Sequence, residues 1–126
     1  MIGLAEISPD EKFQFSCGEI ADVLEAAEQE LLVRGSCKGQ TAQGLGGPVC
    51  AIGAINLAIF GPGCADGLYY YNGADKDQKA ALRDAVATAM GFSSFVEIGG
   101  GFHDLQTSDE PTLNLFRDTR ARLLSF

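Results

Sequence analysis

The sequence has 126 residues and a mass of 13.3 kDa, the size of a single small domain. Hydrophobic residues make up 46% and charged residues 21%, a balance that supports a packed core and argues against a largely disordered chain. Seventeen acidic residues against nine basic ones give a net charge of −8, which argues against direct binding to nucleic acid.

The sequence carries no recognisable signal for a membrane or for export. It contains no run of about 18 apolar residues, so we expect no membrane-spanning helix and no membrane partner. Residues 1–6 lack the basic start and apolar stretch of a signal peptide, so we expect a cytoplasmic protein.

The first predicted element is a helix over residues 17–34, which follows an irregular, surface-packed arm over residues 1–15. Ser16 and Glu19 have the spacing of a capping box, in which each side chain accepts a hydrogen bond from the other residue's backbone N–H. Gly35 is the residue type most favoured just beyond the end of a helix. Apolar residues recur at helical spacing at Ile20, Val23, Leu24, Ala27 and Leu31.

The second predicted helix spans residues 48–60 and is apolar on nearly all sides. Pro48 suits a first helical turn, where its missing N–H costs no hydrogen bond, and Gly61-Pro62-Gly63 ends the helix. Within it, the only polar side chains are those of Cys50 and Asn56. This pattern is typical of a central helix, so we expect the other helices to pack around it.

Two further helices are predicted in the second half of the chain. Asp75 and Asp77 favour the start of a third helix, because carboxylates stabilise the positive end of the helix dipole, and Gly91 ends it. Residues 95–98 alternate in character, which suggests one short strand, and Ser108-Asp109-Glu110-Pro111 starts a last helix. The predicted faces are Leu82, Ala85, Val86, Ala89 and Met90 in the third helix, and Leu113, Phe116, Arg120, Leu123 and Leu124 in the last.

Together these elements predict an all-α fold. We expect one domain over residues 1–126, in which the arm 1–15 precedes a helical core over 16–126. Its four helices are joined by glycine-rich connectors around the central apolar helix 48–60. The sequence shows no internal repeat.

The negative charge is concentrated near the N-terminus. Residues 1–30 contain eight acidic residues and one basic residue, so they carry −7 of the net charge of −8. This pattern is typical of a solvated helix face or of a surface that binds a basic partner. The aromatic run at residues 69–71 is a second candidate surface. The residues predicted to bind a partner are Glu19, Asp22, Glu25, Glu28, Tyr69, Tyr70 and Tyr71.

The four cysteines do not have the spacing of a typical zinc site. Zinc sites usually contain two cysteines a few residues apart, because a short turn places both thiolates on one metal ion. Cys17, Cys37, Cys50 and Cys64 are each separated by more than ten residues, so we expect no metal. For a cytoplasmic protein we expect four reduced thiols, most of them packed in the interior.

One combination of residues suggests catalysis. Cys50 lies in the first turn of the predicted second helix, where backbone N–H groups favour a thiolate and can bind an oxyanion. His103 is the only histidine of the chain and is followed by Asp104. A cysteine, a histidine and a carboxylate are the components of a thiol-dependent hydrolase or transferase. The alternative interpretation is that Cys50 packs in the core while His103 and Asp104 fix the start of the last helix.

Three short segments resemble the motifs of a small uncharacterised domain family that is common in actinobacteria and their bacteriophages. The segments are Gly35-Ser36-Cys37-Lys38-Gly39, Cys50-Ala51-Ile52-Gly53-Ala54 and Phe102-His103-Asp104. The family has a Gly-Trp-x-x-Gly-like segment, a Cys-x-x-Gly-Ala helix and a Trp-Asn-Asp element at these places. The resemblance extends over residues 18–124.

The resemblance also shows where this chain departs from the family. Ser36 replaces the usual tryptophan, and Phe102-His103 stands where the family has Trp-Asn. A mechanism that uses His103 is therefore not implied by the family pattern. The resemblance implies an actinobacterial or phage origin and no known activity or cofactor. The resemblance implies that this chain shares a framework with the family, which consists of Cys50, Gly53, Ala54 and Asp104.

From the sequence we therefore expect a non-enzymatic accessory or regulatory protein, without a cofactor, that binds a protein partner in a bacterial cell or a phage-infected host. Two alternatives remain. One is the thiol-dependent enzyme that uses Cys50, His103 and Asp104, and the other is an acidic nucleic-acid mimic that inhibits a host enzyme. A homodimer is compatible with each of these three functions, because a small domain does not always cover all of its apolar surface.

Overall fold

The computed structural model describes residues 13–37, 47–67, 71–99, 101–103, 106 and 108–125. Within these residues the chain forms α1 (Cys17–Arg34), α2 (Ala51–Phe60), α3 (Lys76–Ala89), a short 3₁₀ helix (Phe95–Ile98) and α4 (Glu110–Leu124). The prediction of a small all-α domain is confirmed.

Helix α1 has the predicted boundaries and the predicted cap. The Glu19 N–H donates to Ser16 Oγ at 3.0 Å, and the Ser16 N–H donates to the Glu19 carboxylate at 3.3 Å. At the other end, Gly35 adopts φ 78° and donates its N–H to Leu31 O, a conformation that favours glycine. Both ends of α1 are therefore set by contacts within the helix and its flanking residues.

Helix α2 begins at Ala51, three residues later than predicted. The Val49 N–H donates to Gly35 O at 3.1 Å, and Val49 O accepts from the Cys37 N–H at 3.1 Å. These bonds form a parallel bridge between Ser36 and Val49, so Val49 is extended and cannot be helical. The expected central position is confirmed, because all residues of α2 except Ile52 and Ala58 are buried.

The segment at residues 95–98 is a 3₁₀ helix, so the expectation of a short strand there was wrong. The Glu97 N–H donates to Ser94 O and the Gly99 N–H donates to Val96 O, which are the short-range bonds of a tight helical turn. This turn buries Phe95 and Ile98 and leaves Val96 exposed. The two buried residues are three apart, a spacing that suits one helical turn.

The core includes the end of the predicted surface arm. Residues 1–12 of that arm lie outside the described residues, but Phe15 is only 2% exposed. Phe15 precedes the cap residue Ser16, and Ile20 is fully buried four positions after that cap. These are the two positions of a hydrophobic staple, so Phe15 is drawn inward where α1 starts.

Helix α1 packs against both α2 and α4. The Ser36 hydroxyl, just past the end of α1, bonds to the Asp109 carboxylate, just before α4. Helices α1 and α4 therefore run antiparallel. Among the described residues, we found no helix with both the length and the apolar character required to cross a bilayer.

Candidate functional site

The exposed side of α1 combines carboxylates with apolar side chains. Glu19, Asp22 and Glu25 are exposed along the first part of the helix. Further along, Leu32 is 49% exposed and Val33 is 82% exposed. Residues three or four apart share one side of a helix, and the exposed Gln29 lies between Glu25 and Leu32. These six residues therefore lie on one side of α1, which we call the α1 outer face.

The carboxylates of the α1 outer face differ in how they are held. Glu19 is engaged in the capping box with Ser16. Within the described ranges, neither Asp22 nor Glu25 forms a salt bridge. Their charges are therefore not offset by an ion pair inside the part of the domain that the structure describes.

Glu28 does not belong to this face, which corrects the sequence prediction. It is only 6% exposed and accepts hydrogen bonds from Arg117 at 2.6 Å and from Arg120 at 3.1 Å. The sequence contained a signal for this position, because Glu28 is seven residues from the buried Ala21, two helical turns along the same edge. Glu28 thus connects α1 to α4 and is withdrawn from solvent.

The sequence prediction missed the apolar part of the α1 outer face. Leu32 and Val33 follow the buried Leu31 directly in sequence. The predicted apolar face includes Leu31 and assigns no place to Leu32 or Val33, and a single helix cannot turn all three side chains inward. Projecting the predicted helix on a wheel would have placed Leu32 and Val33 outside.

Of the three predicted tyrosines, Tyr69 and Tyr70 lie outside the described residues. Tyr71 is half-buried, with its ring 5.3 Å from that of Phe60. Its hydroxyl donates to the Asp75 carboxylate, and the Lys79 ammonium lies 5.0 Å from its ring centroid. Tyr71 thus connects the end of α2 to the start of α3.

The hydrogen bond between Tyr71 and Asp75 changes the acidity of both groups. It is the main cause that raises the pKa of Tyr71 above 10.0, with smaller contributions from desolvation and from the Asp75 charge. The same bond is the main cause that lowers the pKa of Asp75 below 3.8. Both shifts favour the hydrogen-bonded pair at neutral pH.

His103 is fully buried and joins two parts of the chain. Its Nε2 atom lies 3.2 Å from Cys37 O, and its Nδ1 atom lies 2.8 Å from Thr112 Oγ1. A carbonyl oxygen only accepts, so Nε2 carries a proton. In this tautomer Nδ1 accepts a hydrogen bond from the Thr112 hydroxyl. In a longer ladder Cys37 O would accept from residue 51, but Ala51 starts α2 and His103 supplies the donor instead.

Cys50 is the N-cap residue of α2, and its sulfur accepts a hydrogen bond from the Gly53 N–H at 3.4 Å. Its side chain is buried at 4% exposure. The Cys50 sulfur and the His103 imidazole are thus both buried and both hydrogen-bonded. Asp104, the third residue of the predicted catalytic set, lies outside the described residues.

All four cysteines are buried thiols, as expected for residues that pack in the interior. Cys17 and Cys64 belong to the main apolar core. In the part of the chain with described coordinates, histidine, cysteine and acidic side chains do not gather in groups of three or more that suit a metal ion.

Residues 18–122 match the model of a family of unknown function, DUF6197, and the chain therefore belongs to this family. The resemblance to an uncharacterised family is thus confirmed, whereas the particular motifs and the actinobacterial or phage origin remain predictions. No curated protein and no solved structure matches the chain.

Proposed function

We propose that this member of the DUF6197 family is a non-enzymatic accessory protein that binds a protein partner through the α1 outer face. The observation that carries the proposal is that Asp22 and Glu25 share one side of α1 with the exposed Leu32 and Val33. Side chains of these two kinds on one helix face are typical of binding surfaces, in which apolar anchors are bordered by charges.

The chemistry of the face defines the kind of partner. The carboxylates at one end favour lysine or arginine, and they steer the approach of a basic surface over several ångströms. The two branched apolar side chains at the other end require an apolar pocket or groove. The partner therefore presents basic residues beside an apolar depression, at a distance of about 10–15 Å along one helix.

Affinity capture with two variants tests the proposal. Asp22→Lys/Glu25→Lys removes the charge complementarity, and Leu32→Ser/Val33→Ser removes the apolar anchors. The chain also offers matched controls: Asp118 is an exposed acid on α4, and Val96 and Leu124 are exposed at 68% and 62%. We therefore compare the variants with Asp118→Lys and with Val96→Ser/Leu124→Ser. An actinobacterial lysate is the appropriate source, because the motif resemblance supports that origin.

The expected result is one partner that the wild-type protein and both controls retain and that both face variants lose. For that partner, the double charge reversal should weaken binding by about tenfold or more at low salt, and the difference should shrink as salt is added. Equal binding by all variants would contradict the proposal. If the partner also binds DNA and DNA competes for it, the narrower function of a nucleic-acid mimic is favoured.

A further inference from the structure

Cys37 and Cys50 stand opposite each other across a parallel backbone pairing. The bridge joins Ser36 to Val49, and the register of a parallel pair advances by one residue on both sides. Cys37 therefore faces Cys50, and its N–H is held by Val49 O at 3.1 Å. Cys50 retains an extended backbone, with φ −87° and ψ 179°, so the local conformation suits this pairing.

This pairing suits a disulfide. Paired strands lie about 4.8 Å apart, and opposite residues of a parallel pair project their side chains to the same side. A disulfide spans Cα separations of about 4.4–6.8 Å, so the backbone spacing falls within its range. Both thiols are also held close to this pairing: Cys37 Sγ donates to Pro48 O at 3.6 Å, and Cys50 Sγ accepts from the Gly53 N–H.

Cys17 and Cys64, the other two cysteines, lie near the ends of α1 and α2 that are remote from the bridge between Ser36 and Val49. Helix α1 separates Cys17 from Cys37, and helix α2 separates Cys50 from Cys64. At about 1.5 Å per residue, each helix is much longer than a disulfide. Among the four thiols, only those of Cys37 and Cys50 belong to residues that directly follow the bridged pair Ser36 and Val49.

We propose that Cys37 and Cys50 are a redox-modification site that forms an intramolecular disulfide by exchange with a low-molecular-weight disulfide. One protein thiolate attacks the small disulfide, which gives a mixed disulfide and releases one small thiol. The second protein thiolate then attacks the protein sulfur of that bond and releases the second small thiol. Two electrons and two protons thus pass from the two cysteines to the two thiols that leave.

The burial of both thiols defines how this reaction proceeds. Cys37 is 5% exposed and Cys50 is 4% exposed, so the first exchange requires a local opening. The second step is intramolecular and benefits from the pairing of the two residues. The product ties the chain just past α1 to the cap of α2, and it does not involve the α1 outer face. The proposal is therefore independent of partner binding.

The variant Cys17→Ser/Cys64→Ser keeps only the proposed pair and provides the test. The variant is equilibrated with mixtures of oxidised and reduced glutathione and quenched with acid. Its intact mass is then measured by mass spectrometry, in which the disulfide appears as the loss of two hydrogens. We expect the effective concentration of the two thiols to be about tenfold or more higher in the folded protein than in denaturant. Equal values in both states would overturn the proposal.

A second variant separates the effect of the backbone pairing from the effect of a compact chain. Cys17→Ser/Cys50→Ser keeps Cys37 and Cys64, which α2 holds apart, and it should show no such gain on folding. If the first variant does not fold, the wild-type protein is oxidised and digested with trypsin and chymotrypsin, which separate Cys50 from Cys64 at Phe60. A peptide that joins Cys37 to Cys50 supports the proposal, and single glutathione adducts or another pairing overturn it.

Discussion

Thr112 Oγ1 lies 2.8 Å from His103 Nδ1, and both side chains are fully buried. The opposite ring nitrogen binds the carbonyl of Cys37, so one imidazole joins α4 to the chain that follows α1. Another buried threonine of α4, Thr119, finds no hydrogen-bond partner for its hydroxyl among the residues that the structure describes. The two threonines thus differ in one interaction while sharing a helix and complete burial.

This difference predicts opposite results for the same substitution. Thr112→Val leaves the buried Nδ1 atom of His103 without a donor and should lower the free energy of unfolding by about 1–3 kcal/mol. Thr119→Val replaces a hydroxyl without a partner by a methyl group of similar size, and it should be neutral or stabilising. Urea denaturation of both variants measures these effects. A similar loss in both would contradict the assigned role of His103.

The ion pairs of Glu28 with Arg117 and Arg120 predict that removing the carboxylate and removing the arginines cost different amounts of stability. Arg117 and Arg120 have side chains that are 44% and 29% exposed, so they can be solvated by water when Glu28 is changed. Glu28→Gln should therefore cost about 1 kcal/mol of stability. Arg117→Met/Arg120→Met leaves a buried carboxylate without a cation and should cost about 3 kcal/mol at pH 7. Chemical denaturation gives both values, and a larger loss in Glu28→Gln would refute the burial argument.

The burial of Cys50 predicts slow alkylation. Its side chain is buried at 4% exposure, and its sulfur caps α2 through the Gly53 N–H. Iodoacetamide should therefore modify Cys50 in the folded protein no faster than it modifies Cys64, which is 8% exposed and lies in the apolar core. The rates are read by mass spectrometry of digested samples. Selective, rapid reaction at Cys50 would instead support the thiol-dependent enzyme.

The hydrogen bond between Tyr71 and Asp75 predicts that the stability of the fold depends on pH in the acidic range and again in the alkaline range. The pKa of Asp75 is lowered in the folded state, so its contribution is present above 3.8 and is lost as the pH falls through the folded pKa. The pKa of Tyr71 is raised, so its contribution is present below 10.0 and is lost as the pH rises through the folded pKa.

Tyr71→Phe should therefore lower the stability at neutral pH. It should also reduce the loss of stability that the wild-type protein shows at acidic and at alkaline pH. Because the hydroxyl and the carboxylate form their bond in an exposed position, the effect should be small. Thermal unfolding at a series of pH values compares the variant with the wild-type protein, and absorbance titration of the tyrosines follows the raised pKa directly. Identical pH profiles for the two proteins would show that the bond contributes nothing.

A structural feature could be predicted from the sequence where it depends only on residues that are close together in the chain. The boundaries of α1 follow from Ser16, Glu19 and Gly35, whose contacts are all made within the helix or next to it. The start of α2 could not be placed in the same way, because Val49 is extended by bonds to Gly35 and Cys37. Those bonds join residues more than ten positions apart, and periodicity within one segment does not reveal them.

In the candidate site, too, some features follow from the local sequence and others depend on how the helices pack. The exposure of Asp22 and Glu25 follows from the helical period of α1 alone. The burial of Glu28 depends on Arg117 and Arg120, which approach only when α4 packs against α1. The link between His103 and Thr112 likewise required the packed structure, since nothing in the sequence pairs an imidazole with one particular hydroxyl.

The most direct test of partner binding maps the contact on the domain itself. The partner obtained by capture is added to ¹⁵N-labelled protein, and the shifts of the backbone amide signals are followed. The proposal predicts that the largest changes fall along the α1 outer face, from Glu19 through Val33, and that signals of helix α3 stay nearly unchanged. Changes concentrated on α3 or around Tyr71, with α1 unaffected, would contradict it.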